Sequence, residues 1–211
     1  MNCTFSLDKG HFITGEYMLK DLVLRNRSYR SFDEKREIKK EELLDLVEHA
    51  RLCASSVNQQ PLKYYLAYTK EDLNKIQPLT GWAKALKKEL PYPGHYPQAF
   101  IVICQDMQIA SNMQAFLKDI GIVAQTMLLR AVENKLGGCM IGNFNPKDLS
   151  KVLQLDEYLM PHLILAIGKP DETIILEDAK PGQNISYYRD EDDVHHVPKR
   201  SLDELIIAHE K

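Results

Sequence analysis

The stretch from about Asn112 to Asn134 constrains the fold of this chain more than any other. Its periodicity predicts one long helix, and its centre, "IGIVAQTMLL", is apolar on nearly every side rather than along one stripe. A helix with a single stripe can lie on a sheet with its back in water, but this one needs cover all round. Its own domain supplies part of that cover, and a second copy of the chain is a candidate for the rest. The apolar run is interrupted by Gln125 and Arg130, which leaves it too short to span a bilayer.

Strands flank this helix. "KYYLAYT" (63–69) and "QAFIVICQ" (98–105) are rich in aromatic and branched residues, and "PHLILAIGKP" (161–170) stops at Gly168 and Pro170. "LGGCMIGNF" (136–144) reads as a shorter, glycine-heavy strand. An earlier helix is predicted over 39–54, where Leu43, Val47, Ala50 and Ala54 recur at helical spacing beside Leu46. "GEYMLKDLVL" reads as another helix. Asn145-Pro146 marks a helix start, and Ser201 with Glu204 forms a capping box opening "SLDELIIAHE". Helices and strands do not alternate in a strict βαβ rhythm, so the expected class is α+β, a mixed or antiparallel sheet flanked by helices. No repeat or linker divides the 211 residues, and the expectation is a single domain over 1–211.

The net charge is −3 with 27% charged residues, a balance that gives no general pull toward nucleic acid or anionic membrane. Any basic cluster must therefore act locally. Cys3, Cys53, Cys104 and Cys139 are scattered, which argues against a zinc ribbon or a disulfide framework. With no signal-like start in "MNCTFSLDKGHFITGEY", a cytoplasmic location is expected.

Four segments could carry chemistry. "RNRSYRSF" (25–32) packs Arg25, Arg27 and Arg30 into six positions, either to stabilise the end of the preceding helix or to hold an anion. Lys199-Arg200 sits before the capped last helix, where cations oppose the helix dipole unless an anion joins them. "ASSVNQQP" (54–61) is a polar loop whose hydroxyls and amides also suit a heterocycle with mixed edges. Gly137, Gly138 and Gly142 either turn tightly into a buried strand or let backbone approach a flat ligand. "DEDDVHH" (190–196) reads as a solvated acidic loop, since adjacent histidines on extended chain point apart. Cys139 reads as a packed small residue and Trp82 as a core or interface residue.

Taken together and in this order, the four segments resemble the nitroreductase family of FMN-dependent oxidoreductases. The family pattern R-R-S-x-R-x-F is similar to Asn26-Arg27-Ser28-Tyr29-Arg30-Ser31-Phe32, and P-S-x-x-N-x-Q-P to Ala54-Ser55-Ser56-Val57-Asn58-Gln59-Gln60-Pro61. "LGGCMIGNF" after a long helix and "VPKRSLDEL" before the last one complete the likeness, which spans roughly 18–207. Asn26, Ala54 and Leu62 depart from the pattern, the first where the family commonly has arginine. The resemblance implies an intertwined homodimer with FMN in each of two interface clefts, and the long helix would find its missing cover there. It implies that Arg27, Ser28 and Arg30, with Lys199 and Arg200, hold the phosphate and ribityl chain. Ser55, Ser56 and Asn58 would come from the partner subunit, and Met140, Ile141 and Gly142 would lie along the isoalloxazine. NADH or NADPH would reduce the flavin, and a small oxidised acceptor such as a nitroaromatic or quinone would then be reduced in the same cleft, with no catalytic side chain required. A specialised relative that fragments flavin or removes halogen, or a non-catalytic anion- or nucleotide-binding module, are the alternatives.

Overall fold

Every residue of strand β3 (Ala99–Asp106) is buried, so layers must cover it on both faces. The computed structural model describes residues 5–6 and 19–207. β3 lies between β2 (Leu62–Ala67) and β5 (Leu159–Gly168), and β4 (Gly137–Ile141) pairs with the far side of β5. All three pairings are antiparallel. Ile101, Ile103, Leu165 and Ile167 point to one face and pack against α2 (Lys40–Arg51) and α4 (Leu117–Glu133) through Leu43, Leu46, Val123 and Met127. Side chains alternate along a strand, so Phe100, Val102, Ile164 and Ala166 serve the opposite face. There α3 (Lys70–Ile76) and α5 (Pro146–Leu153) pack on β3, β5 and each other. The antiparallel sheet between helix layers is the expected α+β arrangement.

Several boundaries differ from the sequence expectation. α2 ends at Arg51 rather than 54, and the chain turns out to solvent at Leu52. The long helix starts as a 3-10 turn, Met113–Phe116, capped by Asn112, whose side-chain oxygen accepts from the Gln114 and Ala115 amides. α1 is described over Leu19–Arg25, and the expected start of that helix near 15 lies outside the described residues. On α4, Ile120, Val123, Ala124, Met127, Leu128 and Ala131 are buried, while Leu117 and Ile122 are 46% and 43% exposed. One side of the all-round apolar helix is thus bare. Among the described residues, no helix is long and apolar enough to cross a membrane.

The described residues fall into two compact units. The larger holds 19–83 and 89–171, which includes the sheet above; the smaller holds 5–6, 84–88 and 172–207. The smaller unit has its own sheet, in the order β1 (Phe5–Ser6), β6 (Ile174–Asp178), β8 (His195–Lys199), β7 (Tyr188–Arg189). β6 and β8 run parallel there and the other pairs antiparallel. The Arg189 side chain, 2% exposed, is fixed by ion pairs to Glu172 and Asp193. The last helix, α6, covers only Leu202–Leu205, shorter than "SLDELIIAHE" suggests, because Ile206 is already extended. Two successive β-branched residues, Ile206 and Ile207, favour that exit.

Candidate functional site

α1 ends at Arg25, and Arg27 Nη2 donates back to the Val23 carbonyl (2.7 Å), satisfying a last-turn acceptor. Helix capping therefore explains one end of the guanidinium. It leaves Arg27 Nε buried with no hydrogen-bond partner, and no carboxylate among the described residues pairs with this side chain. Burial lowers the Arg27 pKa from its ordinary value, with the neighbouring Tyr29 opposing. A half-buried cation with an unpartnered buried N–H is an arrangement that an anionic ligand would complete.

The next residue reaches the glycine-rich strand. Ser28 bridges Gly138, and the Tyr29 amide donates to the Gly138 carbonyl (3.0 Å). The Tyr29 hydroxyl donates to the Arg25 carbonyl (2.8 Å), and Arg30 Nη1 donates to the Ser28 carbonyl (3.0 Å), so the arginine turn is held from within. Two segments more than a hundred residues apart are thereby one local structure.

The glycines of β4 divide by role. A Cβ on Gly138 would stand 2.3 Å from the Ala166 carbonyl oxygen and 2.7 Å from Leu128 Cδ2. One on Gly137 would stand 2.6 Å from the Tyr29 ring. These two serve the packing of the chain itself. Gly142 has nothing within 4 Å of a Cβ, and Met140 is 37% exposed while Ile141 is buried. Beyond the strand, the Gly81 amide donates to the Asn143 carbonyl (2.8 Å), and a Cβ on Gly81 would collide with the Asn143 amide at 1.7 Å. The buried Trp82 indole donates to Thr80 Oγ (2.8 Å), so a fixed turn closes against the exit of β4.

The Ser55–Asn58 loop is governed by a residue that motif reading passes over. Asp119, in the first turn of α4 and 2% exposed, accepts from Ser55 Oγ (2.8 Å), the Ser56 amide (2.8 Å) and Ser56 Oγ (2.7 Å). Burial pushes the Asp119 carboxyl up, but these donors outweigh it and hold its pKa below the usual carboxylate value. The available signal was a lone acid opening an otherwise apolar helix.

Lys199 and Arg200 lie in the smaller unit. Lys199 ends β8, exposed and without an ion pair among the described residues. Arg200 pairs with Glu204 (3.3 Å), and Ser201 and Glu204 form the expected capping box at α6. In the same unit the two histidines do point apart: His195 is buried, whereas His196 sits between the Glu177 and Asp190 carboxylates. Cys139 is a buried residue of β4.

One constellation invites a nucleophile reading. Ser31 Oγ lies 3.2 Å from His95 Nδ1, and Asp171 Oδ2 lies 3.3 Å from the same nitrogen. A relay needs the hydroxyl and the carboxylate on opposite ring nitrogens. The geometry does not provide one.

The chain is 26% identical to an FMN reductase [NAD(P)H] of Bacillus subtilis over 175 residues, covering 77% of this chain and 70% of that protein. It is 24% identical over 192 residues to a Bacillus subtilis protein given the name NAD(P)H nitroreductase, YdgI, covering 74% and 89%. Among solved structures, one named as a nitroreductase in complex with FMN, from Exiguobacterium sibiricum, shares the fold with a TM-score of 0.63 at 20% identity over 74% of this chain and 90% of that one. The sequence pattern described as the Nitroreductase family matches residues 23–169, spanning the arginine turn, the serine loop, the long helix and the glycine-rich strand. The chain belongs to the nitroreductase family.

Proposed function

We propose that this protein is a homodimeric flavoenzyme that passes electrons from NADH or NADPH through bound FMN to a small oxidised acceptor of the nitroaromatic or quinone type. The observation that carries the reading is Arg27, a half-buried arginine whose Nε is buried and unpartnered, beside Ser28 and the open end of β4. A phosphate suits such a group, since its oxygens accept from guanidinium forks and its charge compensates the desolvated cation. Arg27, Ser28 and Arg30 would hold the phosphate and ribityl chain, and Lys199 and Arg200 would add positive charge to the same dianion. Met140, Ile141 and Gly142 would face the ring, where the space beside Gly142 suits a flat ligand. Ser55, Ser56 and Asn58 of the partner subunit would complete the site, with the bare side of α4 covered in the same dimer. When bound, FMN supplies the redox chemistry, taking hydride from the nicotinamide and giving electrons to the acceptor. The chain itself binds, orients and supplies local positive charge, and no side-chain acid or base is assigned. The cytosol, which supplies both nicotinamides, is the proposed compartment.

The test is direct titration. Arg27→Ala removes a charge-assisted contact and should weaken FMN by about ten- to a hundredfold. Purified protein should be yellow and should bleach when NADH or NADPH is added. Unchanged affinity in Arg27→Ala would overturn the phosphate assignment, and wild-type protein that neither carries nor takes up FMN would overturn the enzyme.

A further inference from the structure

The Ser55–Gln60 loop holds an unusual backbone. Val57, Asn58 and Gln60 all have positive φ, at 45°, 55° and 51°, and none is glycine. The left-handed region is least tolerated by a β-branched residue, yet Val57 occupies it while 87% exposed, with no packing of its own to compensate. Strain of this kind persists only where the surroundings over-determine it. Here the loop has two backbone hydrogen bonds of its own, Asn58 N–H to the Ser55 carbonyl (2.9 Å) and Gln59 N–H to the Ser56 carbonyl (3.1 Å), and one buried carboxylate beneath it.

Asp119 takes three hydrogen bonds from Ser55 and Ser56, at the start of the loop. Ser55 Oγ in turn accepts from the Gln60 amide (3.0 Å), which ties the end of the loop to the same point. Both ends thus converge on a buried anion in the first turn of α4, where the helix dipole favours negative charge. Asn58 Oδ1 accepts from Gln60 Nε2 (3.0 Å), which fixes the amide orientation and leaves Asn58 Nδ2 as an outward donor. Each serine hydroxyl has one hydrogen, and the shortest contact of each is to Asp119 (Ser56 Oγ also lies 3.5 Å from the Ala115 carbonyl), so toward a ligand these hydroxyls act as acceptors.

We infer that Asp119 is a positioning residue for the flavin site: its buried carboxylate clamps the Ser55–Gln60 loop in its strained shape so that Asn58 is presented to the cofactor. The inference rests on the flavin reading above. Within it, Asn58 is the hydrogen-bond donor of this loop, and the two serines act mainly through Asp119. An amide in its place would keep an acceptor for Ser55 Oγ and the Ser56 amide but set an N–H2 against Ser56 Oγ, which could hold it only by turning its own hydrogen away.

The experiment is a double-mutant cycle of Asp119→Asn and Asn58→Ala, read by FMN fluorescence quenching on apoprotein alongside thermal unfolding without cofactor. Each single variant should weaken FMN about tenfold, and the double variant should be no weaker than either single. A purely architectural role for Asp119 would lower the apoprotein unfolding temperature while the two effects on affinity simply multiplied, and that result would overturn the inference. So would a folded Asp119→Asn with unchanged FMN affinity. If Asp119→Asn does not fold, Ser56→Ala removes part of the clamp and enters the same cycle with the same criteria. Wild-type protein that fails to quench FMN defeats the flavin reading and this inference together; wild-type binding with independent Asp119 and Asn58 effects defeats this inference alone.

Discussion

At Gly138 a single hydrogen atom separates a packed sheet from a broken one. A methyl there would meet a backbone carbonyl oxygen, Ala166 O, at 2.3 Å, and backbone in the middle of a sheet has little room to give. Gly138→Ala should therefore destabilise the fold by about 1–3 kcal/mol, seen as a lower denaturant midpoint. Gly142→Ala makes the contrast: with nothing within 4 Å of its Cβ, stability should stay within about 0.5 kcal/mol, while FMN binding weakens if the ring lies on that backbone. The arginine cluster was legible in sequence because three cations in six positions is itself a signal. Asp119 was not, because its importance comes from burial and from two serines more than sixty residues earlier, and neither is visible along the chain.

Among elements, the β7–β8 hairpin carries a titratable lock. His196 Nδ1 lies 2.6 Å from Glu177 Oε1, Nε2 lies 2.9 Å from Asp190 Oδ2, and the ring stacks on Tyr188 at 4.7 Å. Burial lowers the imidazole pKa, but the two carboxylates more than offset it, so the value is raised above 6.5. A raised histidine contributes stability that is fully present below its unfolded value of about 6.5 and is lost as pH rises through the folded value. The small sheet should accordingly loosen from about pH 6.5 upward, and His196→Gln should flatten that slope in unfolding experiments. An imidazole proton resonance titrating below the ordinary histidine value would contradict this. Strands and helices of the larger unit could be read from their apolar runs, and both helix caps, Asn145 and Ser201, fell where the pattern put them. The strands of the smaller unit could not. β6 (Ile174–Asp178) and β8 (His195–Lys199) are five residues each with no apolar alternation, and the His196–Glu177 pair that links them is invisible along the chain.

For the whole molecule, the bare side of α4 is the chief determinant. Leu117 and Ile122 stand exposed on a helix whose other sides are fully packed, as expected of a surface completed by a second copy. Under the proposed dimer, Ile122→Lys should shift the protein to monomer in sedimentation experiments and lower FMN affinity with it, since the loop proposed to come from the partner subunit would be lost. A monomeric wild type that binds FMN fully would contradict the dimer. The apolar periodicity of this helix was legible in the sequence, but not which side would be left open, because that depends on where α2 and the sheet settle.

The small sheet begins with β1 at Phe5–Ser6, which among the described residues pairs with β6 at Ile175–Leu176. During synthesis the large sheet, complete by Gly168, can assemble while the first strand still waits. Trimming either terminus would thus injure the same structure, and a fusion placed at the start of the chain would be felt where the chain ends.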